Sequence, residues 1–319
     1  MKKNTDSKLP LVSVIVNCYN GEKFLRKCIE SILYSSYQKF EIIFYDNAST
    51  DNSIKIVEHF QSKKITIIKR TNNINLGGAR AEAVNKSNGE LICFLDVDDL
   101  IESDAIEYYV QCYKDYKFDI LYGGVQYIDV NEKNINKYTP KNNLCVKLDQ
   151  LLRNFDVNVP SMCISRKVIT SYKINFDNKI KCCEEFDIVA QLAAFQGKII
   201  SVGKIFSKYR IHDMSLTSNN LDIGAKERRY IMKKIKCLVD VDSTKYFKYA
   251  YYKSYYYDAL FLSKKGEIKK AVKNMNKAKN YSLVFLVLYW TLKISPKIWL
   301  LVHRIKGRKI LRILIDFIK

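Results

Sequence analysis

The hydrophobic pattern of the first hundred residues alternates between short apolar runs and helical periodicities. Leu11–Val16 is an apolar, β-branched run that predicts a buried strand. Apolar residues from Phe24 onward then recur at helical spacing. Further strands are predicted at Phe40–Tyr45, Ile65–Ile68 and Leu91–Leu95. Because strands and helices alternate through short connections, the pattern predicts an α/β fold with a mostly parallel sheet and helices on both faces.

Polar residues follow three of these predicted strands at the point where each one ends. They are Asn17, Asp46 and Asp96. Parallel sheets of this kind bind ligands at the carboxyl ends of their strands. We therefore expect the three polar side chains to line one edge of the sheet.

The pattern becomes irregular in the middle of the chain. A helix at 103–114 and a strand at 120–130 are predicted, and residues 131–147 read as a loop or hairpin. Later elements are a helix at 184–195 and strands at 199–202 and 205–209. From about Ala225 the pattern is helical throughout.

The positive charge is concentrated at one end of the chain. The formal net charge is +21. Residues 1–224 hold 30 Lys and Arg against 27 Asp and Glu, a net of +3, and residues 225–319 hold 24 against 6, a net of +18. A nearly neutral body with a basic tail region argues against a uniform basic coat for gripping nucleic acid.

The nine cysteines form no Cys-x-x-Cys pair and several lie inside apolar runs. A disulfide scaffold or a zinc ribbon is therefore not expected, and a reducing cytosol fits better. The polar start, Met1–Lys8, indicates no signal peptide, and no stretch reaches the roughly 20 apolar residues of a spanning helix.

The sequence Phe-Leu-Asp-Val-Asp-Asp places three carboxylates, Asp96, Asp98 and Asp99, directly after a buried strand. Their mutual repulsion is costly unless a cation offsets it. Mg²⁺ and Mn²⁺ prefer such hard oxygen ligands and often share them with substrate phosphates. The alternative is a solvated acidic turn that caps the helix beginning near Ser103.

Four motifs occur in order along the first half of the chain. They are Val-Ser-Val-Ile-Val-Asn-Cys-Tyr-Asn at 12–20, Tyr-Asp-Asn-Ala-Ser-Thr-Asp-Asn-Ser at 45–53, Asn-Leu-Gly-Gly-Ala-Arg at 75–80, and the acidic triplet. This ordered set resembles the family 2 glycosyltransferases, which have the Rossmann-like GT-A fold. The resemblance extends from about residue 11 to residue 219.

The resemblance implies a nucleotide-sugar site and a divalent metal, Mn²⁺ or Mg²⁺. Residues implied in nucleotide-sugar binding are Asn17, Tyr19, Asn20, Asp46, Asn47, Gly77, Arg80, Asp96 and Val97. Implied metal ligands are Asp98, Asp96 and His212, with Asp99 and Arg210 in support. The family often has Asp-Asp-Gly-Ser where this chain has Asp-Asn-Ala-Ser at 46–49, which retains the first acid but can alter donor preference.

The resemblance also implies a catalytic base at the start of the predicted helix at 184–195. An inverting transfer needs a carboxylate that accepts the acceptor's proton, and the matching position is Glu185, with Glu184 or Asp187 as alternatives. Acids at a helix start also favour its dipole without any catalytic role. Ser161 and Met162 fall where the family lines its acceptor pocket, and they fit a core or turn equally well.

The chain is thus expected to comprise a GT-A domain, residues 1–224, and a basic helical C-terminal region, residues 225–319. The donor half of the first domain would span about 9–130 and the acceptor half about 131–224. In the tail, apolar segments carrying Trp290 and Trp299 lie beside Lys and Arg, which suits an anionic membrane surface. The alternative is a helical subdomain whose apolar stripe packs on the body or on a second subunit.

The expected activity is inverting, metal-dependent transfer of a hexose or N-acetylhexosamine from a nucleotide diphosphate sugar, UDP-linked before dTDP. The acceptor would be a glycan or lipid-linked hydroxyl in bacterial surface-polysaccharide synthesis, at the cytoplasmic face of the membrane, with no nucleic-acid partner and an oligomer possible. Two alternatives stay open. One is a retaining sugar transferase or nucleotidyltransferase on a similar fold, and the other is a non-enzymatic basic protein that binds membrane or nucleic acid.

Overall fold

A computed structural model describes residues 9–212, 221–238 and 246–303 of the chain. Contacts between Cα atoms divide the chain into two compact units, Met1–Ser215 and Leu216–Lys319. The first unit is built on a mixed sheet and the second is helical.

The first unit contains nine strands in one sheet. In chain order they are β1 (Val12–Cys18), β2 (Phe40–Asp46), β3 (Ile65–Lys69), β4 (Leu91–Asp96), β5 (Leu100–Ile101), β6 (Ile120–Ile128), β7 (Asn134–Tyr138), β8 (Met162–Ser165) and β9 (Ile199–Arg210). They lie in the order β3-β2-β1-β4-β8-β6-β9-β5, and β7 pairs with β6. The helices are α1 (Glu22–Leu33), α2 (Ser53–His59), α3 (Leu76–Asn85), α4 (Ala105–Tyr116), α5 (Leu148–Arg153), α6 (Lys167–Thr170) and α7 (Glu184–Ala194), with a 3₁₀ turn at Val159–Ser161.

The first four strands are parallel, as the alternating pattern predicts. In β1, Asn17 lies opposite Asp96 of β4, and Cys18 lies opposite Asp46 of β2. The predicted edge with three polar residues at the strand ends is therefore confirmed by the register.

The other half of the sheet mixes strand directions. Strand β8 enters between β4 and β6 and is antiparallel to both, while β6 and β9 are parallel. The hydrophobic pattern does not predict β8, because four residues are too few to show a period. The two strands expected at 199–202 and 205–209 are one strand, β9, whose register with β6 shifts around Gly124. In the segment 131–147, β7 forms the hairpin with β6 that was one of two expectations.

The sheet has a core on each face, because successive side chains along a strand point to opposite sides. Val14 and Val16 of β1 pack in one cluster with apolar residues of α1, α2 and α4. Ile15 packs in the other cluster with apolar residues of α3 and α7. The predicted α/β arrangement with helices on both faces is confirmed.

The second unit is helical, as predicted from about Ala225 onward. Its helices are α8 (Leu221–Lys236), α9 (Phe247–Lys264), α10 (Ile268–Ala278), α11 (Leu283–Ile294) and α12 (Pro296–Val302). Tyr256, Met275, Phe285 and Trp299 form the centre of its core. The indole Nε1 of Trp299 donates to Ser263 Oγ at 2.8 Å, so this tryptophan belongs to the core and not to an apolar tail surface.

Candidate active site

Two loops at the carboxyl edge of the sheet hold each other in place. Asn20 follows β1 and Ala48 follows β2, and both have left-handed backbones with φ of 54° and 66°. The backbone N–H of Asn20 donates to Ser49 Oγ at 3.0 Å, and the Thr50 N–H donates to Asn20 Oδ1 at 2.8 Å. The predicted binding residue Asn20 thus shapes the loops, whereas Tyr19 beside it is exposed at the edge.

Asp46 and Asn17 carry buried polar atoms that find no partner among the described residues. One carboxylate oxygen of Asp46, Oδ2, accepts from the Ser49 N–H at 3.2 Å, while Oδ1 is buried without a hydrogen bond. The side-chain Nδ2 of Asn17 is likewise buried without one. Buried polar groups are rarely left unsatisfied, so a ligand acceptor for Asn17 and a ligand donor for Asp46 would complete the site.

Asn47 and Gly77 contact the protein backbone around the site. Asn47 donates from Nδ2 to the Ile74 carbonyl at 2.7 Å and accepts from the Ile74 N–H at 3.0 Å, which fixes the segment before α3. A Cβ on Gly77 would lie 2.5 Å from the Asp177 carbonyl oxygen and 2.9 Å from that of Ile180. The close approach that this glycine allows is to protein backbone.

Arg80 lies on α3 and joins the two halves of the first unit. Its Nη2 contacts Asp96 Oδ1 at 2.6 Å, and its Nη1 forms an ion pair with Glu184 at the start of α7. Arg80 and Glu184 are almost completely buried. Burial lowers the pKa of Arg80, but the neighbouring carboxylates of Asp96 and Glu184 outweigh burial and raise the pKa overall. The arginine is therefore a charged link between the donor-side acid and the helix of the expected base.

Asp98 forms a hydrogen bond with His212. Asp98 Oδ2 lies 2.8 Å from His212 Nε2. Burial, followed by repulsion from Asp96, raises the pKa of Asp98, while His212 opposes the shift. Burial and the charges of Asp98 and Asp96 also raise the pKa of Asp99 well above its usual range. Burial and the proximity of the three carboxylates thus both disfavour the charged forms of Asp98 and Asp99.

Arg210 holds the backbone of the acidic loop. Its N–H donates to Asp99 Oδ1 at 2.8 Å, its Nε donates to the Asp98 carbonyl at 2.8 Å, and its Nη1 donates to the Asp129 carbonyl at 3.2 Å. The guanidinium also lies over the ring of Phe24, 4.7 Å from its centroid. Arg210 is buried, and its hydrogen bonds fix the backbone at Asp98 and the side chain of Asp99.

Phe24 is a residue that sequence reasoning assigned only to the apolar face of a helix. Its ring lies 5.3 Å from the ring of His212 and also contacts Arg210. The sequence spacing does not predict these contacts, because an apolar residue at a helical position has the same spacing whatever it packs against. Val97, another residue expected in donor binding, packs against Gly21, since a Cβ on Gly21 would lie 2.9 Å from Val97 Cγ2.

The start of α7 separates the candidate bases by burial. Glu184 is buried on Arg80 and Asp187 is fully buried, whereas Glu185 is partly exposed. A carboxylate that must reach an acceptor needs access to the cleft, which favours Glu185. Ser161 is buried and donates to the Gly123 and Asn158 carbonyls, and Met162 is buried in the core, so both belong to the structural alternative.

The acidic loop fits a divalent cation that shares its ligands with a diphosphate. No group of three or more His, Cys, Asp or Glu side chains in residues 9–212, 221–238 and 246–303 is arranged to hold a metal alone. Asp98 and His212 offer two ligands, and a cation there would also offset the repulsion between Asp98 and Asp96. Mg²⁺ is usually bound through one or two carboxylates with substrate phosphates and water, which this donor set matches.

The sheet, with unsatisfied polar atoms at its carboxyl edge, an acidic loop and a helix that begins with carboxylates, has the arrangement expected of a glycosyltransferase of the GT-A fold. The sequence profile of glycosyl transferase family 2 matches residues 13–171. An uncharacterised glycosyltransferase of Methanocaldococcus jannaschii is 30% identical over 210 residues, which cover 63% of this chain and 71% of the relative. The chain belongs to this family.

Further relatives extend the likeness. The Escherichia coli UDP-Glc:alpha-D-GlcNAc-diphosphoundecaprenol beta-1,3-glucosyltransferase WfgD is 25% identical over 66% of this chain and 80% of its own length. The crystal structure of S. aureus TarS 1–349 in complex with UDP-GlcNAc superposes with a TM-score of 0.64, covering 89% of this chain and 88% of that one, at 16% identity. The mannosyltransferase PcManGT from Pyrobaculum calidifontis, in complex with GDP-Man and Mn²⁺, gives a TM-score of 0.62 over 95% and 83% of the two chains, at 15% identity. These two structures show that the fold is shared.

Proposed function

We propose that this glycosyltransferase is inverting and moves a hexose or N-acetylhexosamine from a UDP-linked donor to a hydroxyl of a glycan or lipid-linked acceptor. The observation that carries the proposal is the pair of ion pairs made by Arg80. They connect Asp96, the acid expected on the donor side, to Glu184 on the helix that presents Glu185. A UDP donor is supported by the names of two relatives, WfgD and TarS with UDP-GlcNAc. Surface-polysaccharide synthesis is proposed because WfgD acts on a diphosphoundecaprenol-linked sugar.

The orphaned atoms at the sheet edge are proposed to receive the nucleotide. Asp46 Oδ1 can accept the imide N–H of uracil, and Asn17 Nδ2 can donate to a carbonyl or hydroxyl oxygen. Both needs are met by one ligand, uridine or thymidine. dTDP carries the same imide group, so base recognition alone does not separate UDP from dTDP.

Asp98 and His212 are proposed to hold a divalent cation, Mn²⁺ or Mg²⁺, with Asp96 close by. Such a cation supplies charge stabilisation for the departing diphosphate. Arg210 keeps the acidic loop in the geometry that presents these ligands, through its bonds to the Asp98 carbonyl and to Asp99.

Glu185 is proposed as the general base. Its carboxylate takes the proton of the acceptor hydroxyl while the acceptor oxygen bonds to the anomeric carbon. The bond from that carbon to the diphosphate oxygen breaks, and nucleoside diphosphate leaves with the electron pair. Attack from the face opposite the leaving group inverts the anomeric configuration.

The proposal is tested by titrating UDP into the protein with Mn²⁺ and again with EDTA. Wild type should bind at least about tenfold more tightly with Mn²⁺, and Asp98→Asn should lose that difference. Asp104→Asn is the matched control, because Asp104 is an exposed carboxylate paired with Lys204 outside the acidic loop. Equal binding with and without metal in wild type would contradict the metal assignment. Absence of UDP binding together with tight binding of another nucleotide would contradict the donor assignment.

The assignment of the general base is tested by comparing two Glu→Gln substitutions at neighbouring positions. Glu185→Gln should abolish sugar transfer while UDP binding and thermal stability stay close to wild type. Glu184→Gln should mainly lower stability, because it removes the buried partner of Arg80. Full transfer activity in Glu185→Gln would reject this residue as the base.

A further inference from the structure

Helices α11 and α12, the last two in the described part of the second unit, carry an exposed apolar face. The residues are 46–76% exposed despite large hydrophobic side chains, namely Leu283, Val287, Trp290, Ile294, Ile298 and Leu301. Isolated exposed apolar residues are ordinary on protein surfaces, but a contiguous set marks an interaction site. We call these six residues the exposed apolar face.

The spacing places the first four residues of this face on one side of α11. Leu283, Val287, Trp290 and Ile294 lie within roughly 60° of one another at 3.6 residues per turn. The opposite side of the same helix is buried in the core of the unit, through residues that include Phe285 and Leu292. The helix is thus apolar on both sides, and only one side has a partner within the described part of the chain.

Basic residues border the face. Lys293 and Lys297 are exposed between its members, and Lys293 Nζ lies 4.8 Å from the centroid of the Trp290 ring. Residues 304–319, which follow α12, contribute six further Lys and Arg and a single Asp to the sequence. Region 225–319 as a whole has a net charge of +18 by the count of its Lys, Arg, Asp and Glu residues.

We infer that the exposed apolar face is the surface through which the chain contacts an anionic lipid bilayer. Apolar side chains that include a tryptophan, bordered by lysines, match the apolar boundary and the negative headgroups of such a bilayer. The same region of a second copy is a poor match for this basic face, because the Asp and Glu of region 225–319 number only six against 24 basic residues. The helices rest on the membrane without crossing it, since no helix in the described residues is long and apolar enough to span.

This inference deepens the proposed use of a lipid-linked acceptor by naming the surface that reaches the lipid. The test uses full-length protein and vesicles of phosphatidylglycerol mixed with phosphatidylcholine, or of phosphatidylcholine alone. Wild type should float with the anionic vesicles and bind neutral vesicles at least about tenfold more weakly. Trp290→Glu and Ile298→Glu should each reduce anionic-vesicle binding by about tenfold or more. Tyr34→Glu, which changes an exposed aromatic residue of the first unit, is the matched control and should bind like wild type.

Light scattering and UDP binding on the same variants separate the other outcomes. Wild-type vesicle binding in both Trp290→Glu and Ile298→Glu would overturn the inference. So would a wild-type dimer that either substitution converts to monomer, because the face would then be covered by a second copy. Vesicle binding needs no turnover, so the two proposals can fail separately. Wild-type protein that binds UDP but not anionic vesicles would reject the membrane surface alone. Wild-type protein that binds anionic vesicles but not UDP would reject the donor proposal alone.

Discussion

Replacing Arg80 tests whether the two halves of the first unit are joined by one buried charge. Arg80→Met keeps an unbranched apolar stem, shorter than the arginine side chain, and removes the cation between Asp96 and Glu184. Glu184 is only 3% exposed, so the substitution would remove the guanidinium cation from a buried carboxylate. Breaking a buried ion pair from one side costs about 3–5 kcal/mol, and we expect Arg80→Met to lower the free energy of unfolding by that amount.

Most of this cost should come from Glu184. The Asp96 side chain is 34% exposed, so water screens much of its charge, and the contribution of that pair is small by comparison. The double variant Arg80→Met with Glu184→Gln should therefore recover at least about 2 kcal/mol. Arg70→Met is the matched control, because Arg70 pairs with the exposed Glu82 and its loss should cost much less than the loss of Arg80.

The assay is urea unfolding followed by circular dichroism, together with UDP binding and turnover at a temperature where the variant is folded. If Arg80 positions α7, turnover should fall by about a hundredfold while UDP affinity changes little, since a small misplacement of catalytic groups has that effect. A loss of less than about 1 kcal/mol in Arg80→Met would refute the buried-link argument. An equal loss of UDP affinity and turnover would show instead that Arg80 contacts the nucleotide.

Two further predictions concern one loop beside the site and one hydrogen-bonded carboxylate at the opposite end of the sheet. Ala48 has φ of 66°, a conformation that costs an alanine about 1–2 kcal/mol, so Ala48→Gly should raise the free energy of unfolding by up to about 1 kcal/mol. The control, Ala81→Gly inside α3, should lower the free energy of unfolding by about 1 kcal/mol. A lower stability of Ala48→Gly than of wild type would contradict this strain argument. Glu41 has a lowered pKa because hydrogen bonds from Asn88 and Ser13 outweigh the effect of burial, which alone would raise it, so its carboxylate stabilises the fold above the unfolded pKa. Glu41→Gln should therefore lower the free energy of unfolding by about 1 kcal/mol at pH 7. The difference from wild type should shrink as the pH falls through the folded pKa of Glu41, and a difference that does not change with pH would reject this explanation.

The periodic first half of the chain could be predicted closely because each strand there is a run of apolar residues between turn signals. Asn17, Asp46 and Asp96 fall at the strand ends where the sequence places them. Strand β8 could not be predicted, since its four residues pair only through contacts distant in sequence. Long-range pairing of this kind leaves no local period to detect.

Within the candidate site, residue types could be predicted better than their partners. The sequence indicates an arginine on the nucleotide side at position 80, whereas the structure shows it buried between Asp96 and Glu184. The pairing of Arg80 with Glu184 joins residues 104 positions apart, which no motif spacing reveals. The same holds for Phe24, whose contacts with Arg210 and His212 depend on how β9 returns to the first loop.

The central claim is that the chain turns over a nucleotide sugar at the edge where Asp46, Asp96 and Asp98 lie. The most direct measurement is the release of nucleoside diphosphate by the full chain from a panel of UDP-, dTDP- and GDP-sugars, with Mn²⁺ and with EDTA. We predict release from a UDP-hexose or UDP-N-acetylhexosamine that requires the metal and is lost in Asp98→Asn, while Asp104→Asn remains active. Metal-independent release, or release that survives Asp98→Asn, would contradict the proposed site.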